Sequence, residues 1–463
     1  MKSLRFLIWT YFWLLILEGA LRKWIFPGYS NVLLLVRDPV VIIMYLRAIY
    51  LGIFPRNRWM YALIVIAFVF GILGWVQLVA GAPLAPLGIV GTLKTSVVIF
   101  GWRTYFLHLP LIFLFPIIIR RQDLRSFVRA VTILSIPMTV LVVFQYLATG
   151  DSWINVAAQG GEQLAFVGDK IRAPGTFSFA TGPACFYALL AACGASALLG
   201  DPKLARWMGW VAVLGAVIYA PIAGGRLNAG MVLFVLAIGI LLASLQRGWG
   251  QIKILLVTAA MVLAVTYTPI FREGMENTNI RLDGAADFEN GAYEHGFFSR
   301  ILSGFTVPVD LLREGQPLFL GEGLGLGTIG GAKLQTGEAQ FLIGESEWAR
   351  IIVECGWAWG MLYVIWRVSL AVWLLGLSWR AMRRGHPLAL LLWGANIWTL
   401  LQGQWGQPTN LGFAVLIAGL TLAACQDERA AEPYLGFAAA TAQFPTFSER
   451  VRTPSNRMPQ LRH

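Results

Sequence analysis

Long apolar runs recur along this sequence, and they constrain its fold more than any other feature. Each run is close to the ~20 residues that an α-helix needs to cross the hydrocarbon core of a bilayer. The chain is 57% hydrophobic and 13% charged, with a mean hydropathy of +0.66, which lies outside the range of soluble globular proteins. The sequence therefore predicts an all-α polytopic membrane protein with about twelve transmembrane helices.

The predicted spans follow one another along the chain, with short polar turns between most of them. They are Phe6–Ala20, Val32–Phe54, Met60–Ala80, Tyr105–Ile119, Phe127–Leu147, Gly182–Leu199, Trp207–Ala223, Gly230–Leu245, Ile254–Ile270, Ile351–Leu377, Leu388–Leu401 and Leu411–Ala424. The first span follows two basic residues, as in a signal peptide. No small-residue cleavage site closes it, so we predict that it is retained.

Basic residues cluster in alternate turns between these spans. The clusters are Arg56 and Arg58; Arg120, Arg121 and Arg125; Lys203 and Arg206; Arg247 and Lys253; and Arg380, Arg383 and Arg384. The positive-inside rule makes this side cytoplasmic, which predicts that both termini are cytoplasmic. Arg22 and Lys23 are the one basic pair in a short turn on the opposite side. The same distribution accounts for the net charge of +12 without a nucleic-acid partner.

One long polar segment interrupts the apolar pattern. Phe271–Glu347 carries five basic and twelve acidic residues, and a segment this long without a structural period is usually functional or disordered. We predict that it is an extracytoplasmic loop before the third-last helix, closing an active site over the membrane. It separates an N-terminal bundle, 1–270, from C-terminal helices, 348–425, while 426–463 is predicted to be a disordered cytoplasmic tail. Ala82–Trp102 contains two prolines and is predicted to be re-entrant or interfacial.

Two patterns resemble known sites but lack what those sites need. Gly321–Gly331 is glycine-rich like a phosphate-binding loop, yet it has no Lys-Ser/Thr pair and no preceding strand. It therefore predicts a flexible or tightly turning loop. The four cysteines lie in or beside apolar runs, and His108 and His295 have no partner at metal-ligand spacing. We predict neither a disulfide framework nor a metal site.

Three arginines on the predicted outer side are the leading candidates for substrate binding. Arg226 lies in a turn of small residues between two apolar spans, and an ionisable residue near membrane depth is costly unless it is paired or faces water. Arg172 precedes a span, and Arg300 lies in the long loop. Guanidinium groups bind phosphate oxygens bidentately, so the three suit an anion such as a lipid-linked pyrophosphate. The alternatives are snorkelling of Arg226 to lipid headgroups and pairing of each arginine with loop carboxylates.

Glu345 and Glu347 end the long polar segment at the membrane surface. Partial desolvation can raise the pKa of a carboxyl group and make it a general base. The alternative is that both are helix-start carboxylates, which the helix dipole favours.

Charged residues also fall inside the apolar runs. Glu18, Arg37, Asp38 and Arg367 each need a partner within the helical bundle. Glu18 and Arg22 have the i,i+4 spacing of a helical ion pair.

The order of these features resembles the bacterial superfamily of O-antigen ligases and O-antigen or exopolysaccharide polymerases. The resemblance covers roughly Arg172 to Gly360. The matching stretches are Arg172-Ala173-Pro174-Gly175-Thr176-Phe177, the small-residue turn ending in Arg226, the loop containing Arg300, Pro317-Leu318-Phe319-Leu320-Gly321-Glu322-Gly323, and Glu354-Cys355-Gly356-Trp357-Ala358-Trp359-Gly360.

This resemblance implies a glycosyltransferase that needs no metal or other cofactor and acts at the periplasmic face of the bacterial inner membrane. It would move a glycan from undecaprenyl pyrophosphate to a sugar hydroxyl, with membrane lipids and other polysaccharide-assembly proteins as further partners. Arg226 and Arg300 would hold the donor pyrophosphate, with Arg172 as a third contact. Separately from the resemblance, we predict that Glu347 is a substrate-binding residue.

The chain departs from the ligases at one position. Where they carry a histidine ahead of the Glu-x-Gly stretch, this chain has Glu345. We therefore predict that Glu345 is the general base. The departure favours a polymerase of exopolysaccharide or O-antigen repeat units over a lipopolysaccharide ligase.

Two other classes of protein stay open from the sequence. A secondary transporter or a flippase for lipid-linked oligosaccharides would have ionisable residues near the membrane midplane and internal repeats, and no repeat of 20–50 residues is evident. A structural protein of the cell envelope predicts instead that the outer arginines are dispensable.

Overall fold

The computed structural model of the chain describes residues 1–81, 91–158, 166–167, 170–199, 204–245, 319–338, 342–343 and 346–426, and some positions between 257 and 272. Within these residues the side chains of Arg121, Phe166, Val167, Lys170 and Arg226 are not described. About half of the predicted span Ile254–Ile270, and nearly all of the predicted tail, fall outside this part of the chain.

Almost all of the regular structure is helical, as the apolar runs predict. The helices are α1 Lys2–Ala20, α2 Ser30–Leu33, α3 Arg37–Tyr50, α4 Arg58–Ala80, α5 Thr95–Phe106, α6 Leu111–Ile118, α7 Arg121–Leu147, α8 Thr181–Leu198, α9 Arg206–Ile222, α10 Arg226–Leu245, α11 Ile329–Thr336, α12 Glu347–Cys355, α13 Trp357–Arg383, α14 Pro387–Leu401 and α15 Pro408–Ala424. A π-helical turn, Leu21–Ile25, extends α1, and 3-10 turns lie at Pro27–Tyr29 and Trp153–Asn155. The strands β1 Phe166–Val167 and β2 Lys170–Ile171 pair antiparallel, Phe166 opposite Ile171.

Seven helical segments of the described chain are long and apolar enough to cross a membrane. They are Lys2–Ile25, Arg58–Ala80, Thr95–Ile118, Gln122–Leu147, Thr181–Leu198, Leu227–Leu245 and Trp357–Arg383. Three shorter apolar helices, α9, α14 and α15, accompany them. These segments confirm an α-helical membrane protein, while the number of twelve spans stays a prediction.

Burial divides the helices into a centre and a periphery. In α8, 94% of the most apolar 18-residue stretch is buried inside the protein, whereas in α4 only 33% of the corresponding stretch is buried. The central helix α8 contacts α9, α10 and α14, and α15 packs on α6. Peripheral helices expose large apolar side chains, among them Phe68, Trp75 and Val372. Such side chains suit contact with lipid, because the bilayer core is as apolar as they are.

Small residues allow the central helices to approach closely. A Cβ on Gly194 of α8 would lie 2.8 Å from the Cβ of Ala212 in α9, and a Cβ on Gly209 would lie 2.7 Å from Cγ of Leu198. Lipid tails are as apolar as these helices, so the hydrophobic effect does not drive the helices together in a bilayer. Close approach of the backbones instead favours association through van der Waals contact.

Several predicted spans differ from the helices that form. The region of Val32–Phe54 contains the four-residue α2 and the 14-residue α3. The span predicted at Tyr105–Ile119 begins earlier, because α5 and α6 together form the segment Thr95–Ile118. The end of Ala82–Trp102 therefore belongs to this helical segment rather than to a separate interfacial piece.

A glycine breaks the span predicted at Ile351–Leu377. Gly356 has φ 82°, which ends α12 at Cys355 and begins α13 at Trp357. A glycine accepts this backbone conformation without the steric cost that other residues carry. The break allows α13 to turn back on α12, where a Cβ on Gly360 would lie 2.8 Å from Cα of Ile352.

Candidate functional site

Segments that the charge pattern places on the outer side contact one another. Asn228 of α10 donates from Nδ2 to the carbonyl of Ala180, 3.4 Å away. The neighbouring Thr181 hydroxyl contacts Gln407 Oε1 at 3.2 Å, and the amide of Trp405 donates to Glu347 Oε1 at 3.0 Å. We call this group of segments, which are the starts of α8, α10 and α12 and the turn 402–407, the mouth.

The predicted site residues do not all lie at the mouth. Arg226 begins α10, two positions before Asn228, so its backbone lies at the mouth. Arg172 follows β2 and is half-buried, and its buried Nε atom has no hydrogen-bond partner among the described residues. Arg300 and Glu345 lie outside the described residues.

Glu347 is enclosed within the protein. Its carboxylate contacts Arg350 Nε at 3.0 Å and Arg367 Nη1 at 2.8 Å, in addition to the Trp405 amide. Burial favours the neutral acid, but Arg350 and Arg367 outweigh that effect and hold the pKa of Glu347 below its ordinary value. Oε1 therefore ties α12 to α13 and to the turn 402–407, while Oε2 accepts from Arg350 within α12.

A second buried carboxylate, Glu354, joins α12 to two distant parts of the chain. It accepts hydrogen bonds from Arg350 Nη1 at 2.9 Å and from the Tyr105 hydroxyl at 2.7 Å. The amides of Gly325 and Gly327 donate to it at 3.2 and 2.7 Å. A carboxylate with four donors is well compensated for its complete burial.

The glycine-rich tract is packed inside the protein rather than flexible. Residues 323–328 are all buried, and Gly325, with φ 97°, would place a Cβ 2.6 Å from the carbonyl of Val97. The side chain of Gln77 in α4 binds the beginning of this tract, donating to the Leu320 carbonyl and accepting from the Leu324 amide. The expectation of a tight turn is met, and the segment is part of the core.

The sequence interpretation missed these internal contacts. Gln77 is an amide within the apolar run of α4, and Glu354 is a carboxylate within another apolar stretch. A polar side chain at either position is costly and therefore signals a partner. The sequence does not identify which residue that partner is. Glu322 was also passed over: its Oε2 is buried without a hydrogen-bond partner, and burial raises the pKa of this carboxyl group.

A further charged cluster lies among α1, α3 and α5. Asp38 contacts Arg103 at 2.5 Å and His108 Nε2 at 3.1 Å. Glu18 contacts Arg37 at 3.1 Å and, with the expected spacing, Arg22 at 3.5 Å. The partners that the sequence required for Glu18, Arg37 and Asp38 are therefore found here, and His108 has a structural role.

The mouth is held together by contacts between its segments. Its backbone positions are fixed by hydrogen bonds between segments that are distant in sequence, and Arg172 has donor capacity that the described residues do not use. The guanidinium group of Arg172 can bind a phosphate oxygen through this unused donor.

Comparison of this chain with models of protein families finds no match, and neither does comparison with curated proteins. What the protein does is therefore inferred from its residues, its contacts and the resemblance of its motifs.

Proposed function

We propose that this protein is a membrane glycan polymerase or ligase of the bacterial inner membrane. It transfers a glycan from undecaprenyl pyrophosphate to the hydroxyl of a sugar acceptor on the outer face, and its acceptor is a repeat unit of an exopolysaccharide or O-antigen. One observation supports this proposal most strongly: the turn with Arg226, the segment before α8 and the segment ending in Glu347 meet at the mouth. These are segments on which the resemblance depends.

The reaction needs little beyond charge stabilisation and one base. The acceptor oxygen attacks the anomeric carbon, the bond from that carbon to the pyrophosphate oxygen breaks, and Glu345 takes the hydroxyl proton. Arg226 and Arg300, with Arg172 as a third contact, stabilise the negative charge on the departing undecaprenyl pyrophosphate. The remainder of the long segment 271–347 excludes water from the site.

Glu347 enters the proposal as a positioning residue for Glu345. Its oxygens are held by Arg350, Arg367 and the Trp405 amide. We therefore do not propose that Glu347 contacts the substrate directly, as the sequence predicted. Because Glu345 is two residues away, a fixed Glu347 limits where the base can lie.

The direct test is polymerisation by the purified protein. Wild-type protein in detergent is incubated with lipid-linked repeat units, and products are separated by size. We expect a ladder of longer lipid-linked chains together with released undecaprenyl pyrophosphate. A wild-type preparation that is folded yet leaves the repeat units unchanged would overturn the proposal.

A transporter or flippase is the second candidate, and the buried charged cluster favours it. Asp38, Arg103 and His108 are ionisable groups inside the helical bundle, as proton-coupled transporters require. Their mutual pairing is also consistent with a structural role. In proteoliposomes a flippase would move a fluorescent lipid-linked oligosaccharide between leaflets without lengthening it, whereas the polymerase would lengthen it.

A further inference from the structure

Arg22 and Lys23 are the basic pair that contradicts the charge pattern, because they lie in a turn on the predicted outer side. Both are only 3% exposed. They belong to the π-helical turn that follows α1, and they contact the segment 172–178. Two buried cations on the side where the positive-inside rule disfavours them need a reason.

Arg22 contacts the Glu18 carboxylate at 3.5 Å and two serine hydroxyl groups. Its Nε donates to the carbonyl and hydroxyl of Ser30, at 2.9 and 3.1 Å, and its Nη1 donates to the hydroxyl of Ser178 at 3.0 Å. Among the described residues Nη2 has no partner. Guanidinium and serine hydroxyls together are groups that bind phosphate oxygens.

Lys23 has no carboxylate partner within the described part of the chain. Its Nζ donates to the carbonyl of Gly175 at 2.6 Å and lies 4.5 Å from the centre of the Trp24 ring. One carbonyl and one aromatic ring compensate a buried ammonium group only in part.

The local charge is unbalanced in the same direction. Glu18 is the carboxylate shared by Arg22 and Arg37, and Lys23 adds a further cation. Arg37 is 2% exposed, and its Nη1 is buried without a partner. Cations thus outnumber carboxylates here even when Asp38 and its partner Arg103 are included, whereas around Glu347 two arginines face two carboxylates.

We propose that Arg22, Lys23 and the hydroxyls of Ser30 and Ser178 form a phosphate-binding subsite. Its ligand is the diphosphate group of a lipid-linked substrate, an identification that rests on the proposed function. The subsite adjoins the mouth, since Ser178 lies two residues before Ala180, which Asn228 contacts. Two residues of chain span at most ~7 Å, so a diphosphate beside Arg22 lies close to the start of α10.

The substitution Lys23→Met separates a binding role from a structural one. It removes the charge and keeps most of the side-chain length. If Lys23 serves a ligand, the substrate-free protein gains or keeps thermal stability, because a buried unbalanced cation has been removed. At the same time the Kd for farnesyl diphosphate rises about 10- to 100-fold, the range expected for losing a charged hydrogen bond.

Lys333→Met is the matched control. Lys333 is half-buried, and its Nζ contacts Asn31 next to Ser30, so this variant makes the same change of charge nearby but outside the subsite. Its Kd should equal that of the wild type. Ser178→Ala removes one hydroxyl and should weaken binding about threefold, which keeps the test valid if Lys23→Met does not fold.

Two further compounds test which chemical group the subsite recognises. Farnesol lacks the diphosphate, and vesicles of phosphatidylglycerol present a phospholipid headgroup instead. We expect farnesol not to bind and phosphatidylglycerol not to displace farnesyl diphosphate. Displacement by phosphatidylglycerol would overturn the assignment of the ligand in favour of a phospholipid headgroup. Unchanged farnesyl diphosphate binding in both Lys23→Met and Ser178→Ala would overturn the subsite itself.

The binding measurements are independent of polymerisation. If the wild type makes no ladder but binds farnesyl diphosphate in a Lys23-dependent manner, the subsite stands and the polymerase proposal falls. If the wild type makes a ladder and Lys23→Met binds and elongates equally well, the subsite falls and the polymerase proposal stands.

Discussion

Individual charged residues in this protein have two distinct kinds of environment. Glu347 and Glu354 are fully compensated by arginines and backbone amides, whereas Lys23 and Arg172 keep unused capacity. Breaking a buried ion pair leaves an uncompensated charge, which is strongly destabilising. Substitution of a compensated residue should therefore act on stability, while substitution of an uncompensated residue should act on binding.

Arg226 is the first residue at which function can be tested. We expect Arg226→Ala to lower polymer formation by about 100-fold or more, because the charge on the departing pyrophosphate loses a donor. Arg226→Lys should restore little of it, since an ammonium group cannot make the bidentate contact. Arg300→Ala should behave in the same way.

The measurement is the amount of polymer at equal protein level in membranes. Arg380→Ala, at the opposite end of α13 from Gly356, is the control and should polymerise normally. Full activity of Arg226→Ala would remove the central residue of the proposal.

Glu345 and Glu347 should respond differently to the same substitution. Glu345→Gln removes the proposed base and should reduce turnover by about 10²–10⁴-fold with little effect on donor affinity. Glu347→Gln leaves Arg350 and Arg367 without their shared carboxylate, and should lower the free energy of unfolding by about 3–5 kcal/mol. Single-turnover kinetics and thermal unfolding in detergent distinguish the two effects.

Normal turnover in Glu345→Gln would show that this carboxylate is not the base. Departure of the pyrophosphate would then have to be driven by the arginines alone. A stable Glu347→Gln variant with reduced turnover would move the catalytic role to Glu347.

At the scale of helices, the glycine-rich tract and α5 form a contact that admits no side chain. A Cβ on Gly101 would lie 2.6 Å from Cα of Gly325, closer than a Cβ atom approaches a non-bonded heavy atom in real proteins. Both partners in this contact are backbone, so neither can rotate away. The contact positions the amides of Gly325 and Gly327 for Glu354.

We expect Gly101→Ala to destabilise the protein by about 1–3 kcal/mol or more, the range for overpacking a core. The control is Gly376→Ala in α13, where the nearest atom to a Cβ is 4.0 Å away. This variant should gain up to about 1 kcal/mol from improved helix propensity. Thermal unfolding measures both, and equal stability of the two variants would contradict the close packing.

At the scale of the whole molecule, the charge pattern predicts an orientation in the membrane that can be tested. Gly28 and Glu338 are exposed positions predicted to lie outside, and Arg56 and Arg383 are exposed positions predicted to lie inside. In a variant with Cys425 replaced by serine, cysteines at the outer positions should react with a membrane-impermeant maleimide in intact spheroplasts. Those at the inner positions should react only after permeabilisation. The reverse pattern would invert the map and exclude a site on the outer face.

The apolar runs were sufficient to predict a helical membrane protein, because span length and hydropathy are local properties of the chain. The same runs did not show that the span predicted at Ile351–Leu377 breaks at Gly356, since the break depends on how α12 packs against α13. For the same reason, the helical start of Thr95–Ile118 was placed too late.

Charge within an apolar run reveals that a partner is required, but not which residue supplies it. The sequence alone determined that Glu18, Arg37, Asp38 and Arg367 needed partners, and the spacing identified only Glu18 with Arg22. Tertiary structure decided the rest: Glu347 pairs with Arg367, Asp38 with Arg103, and the glycine-rich tract enters the core beside Glu354. The physical reason is that these interactions act over a few ångströms between groups far apart in sequence, so only the packing of the helices brings them together.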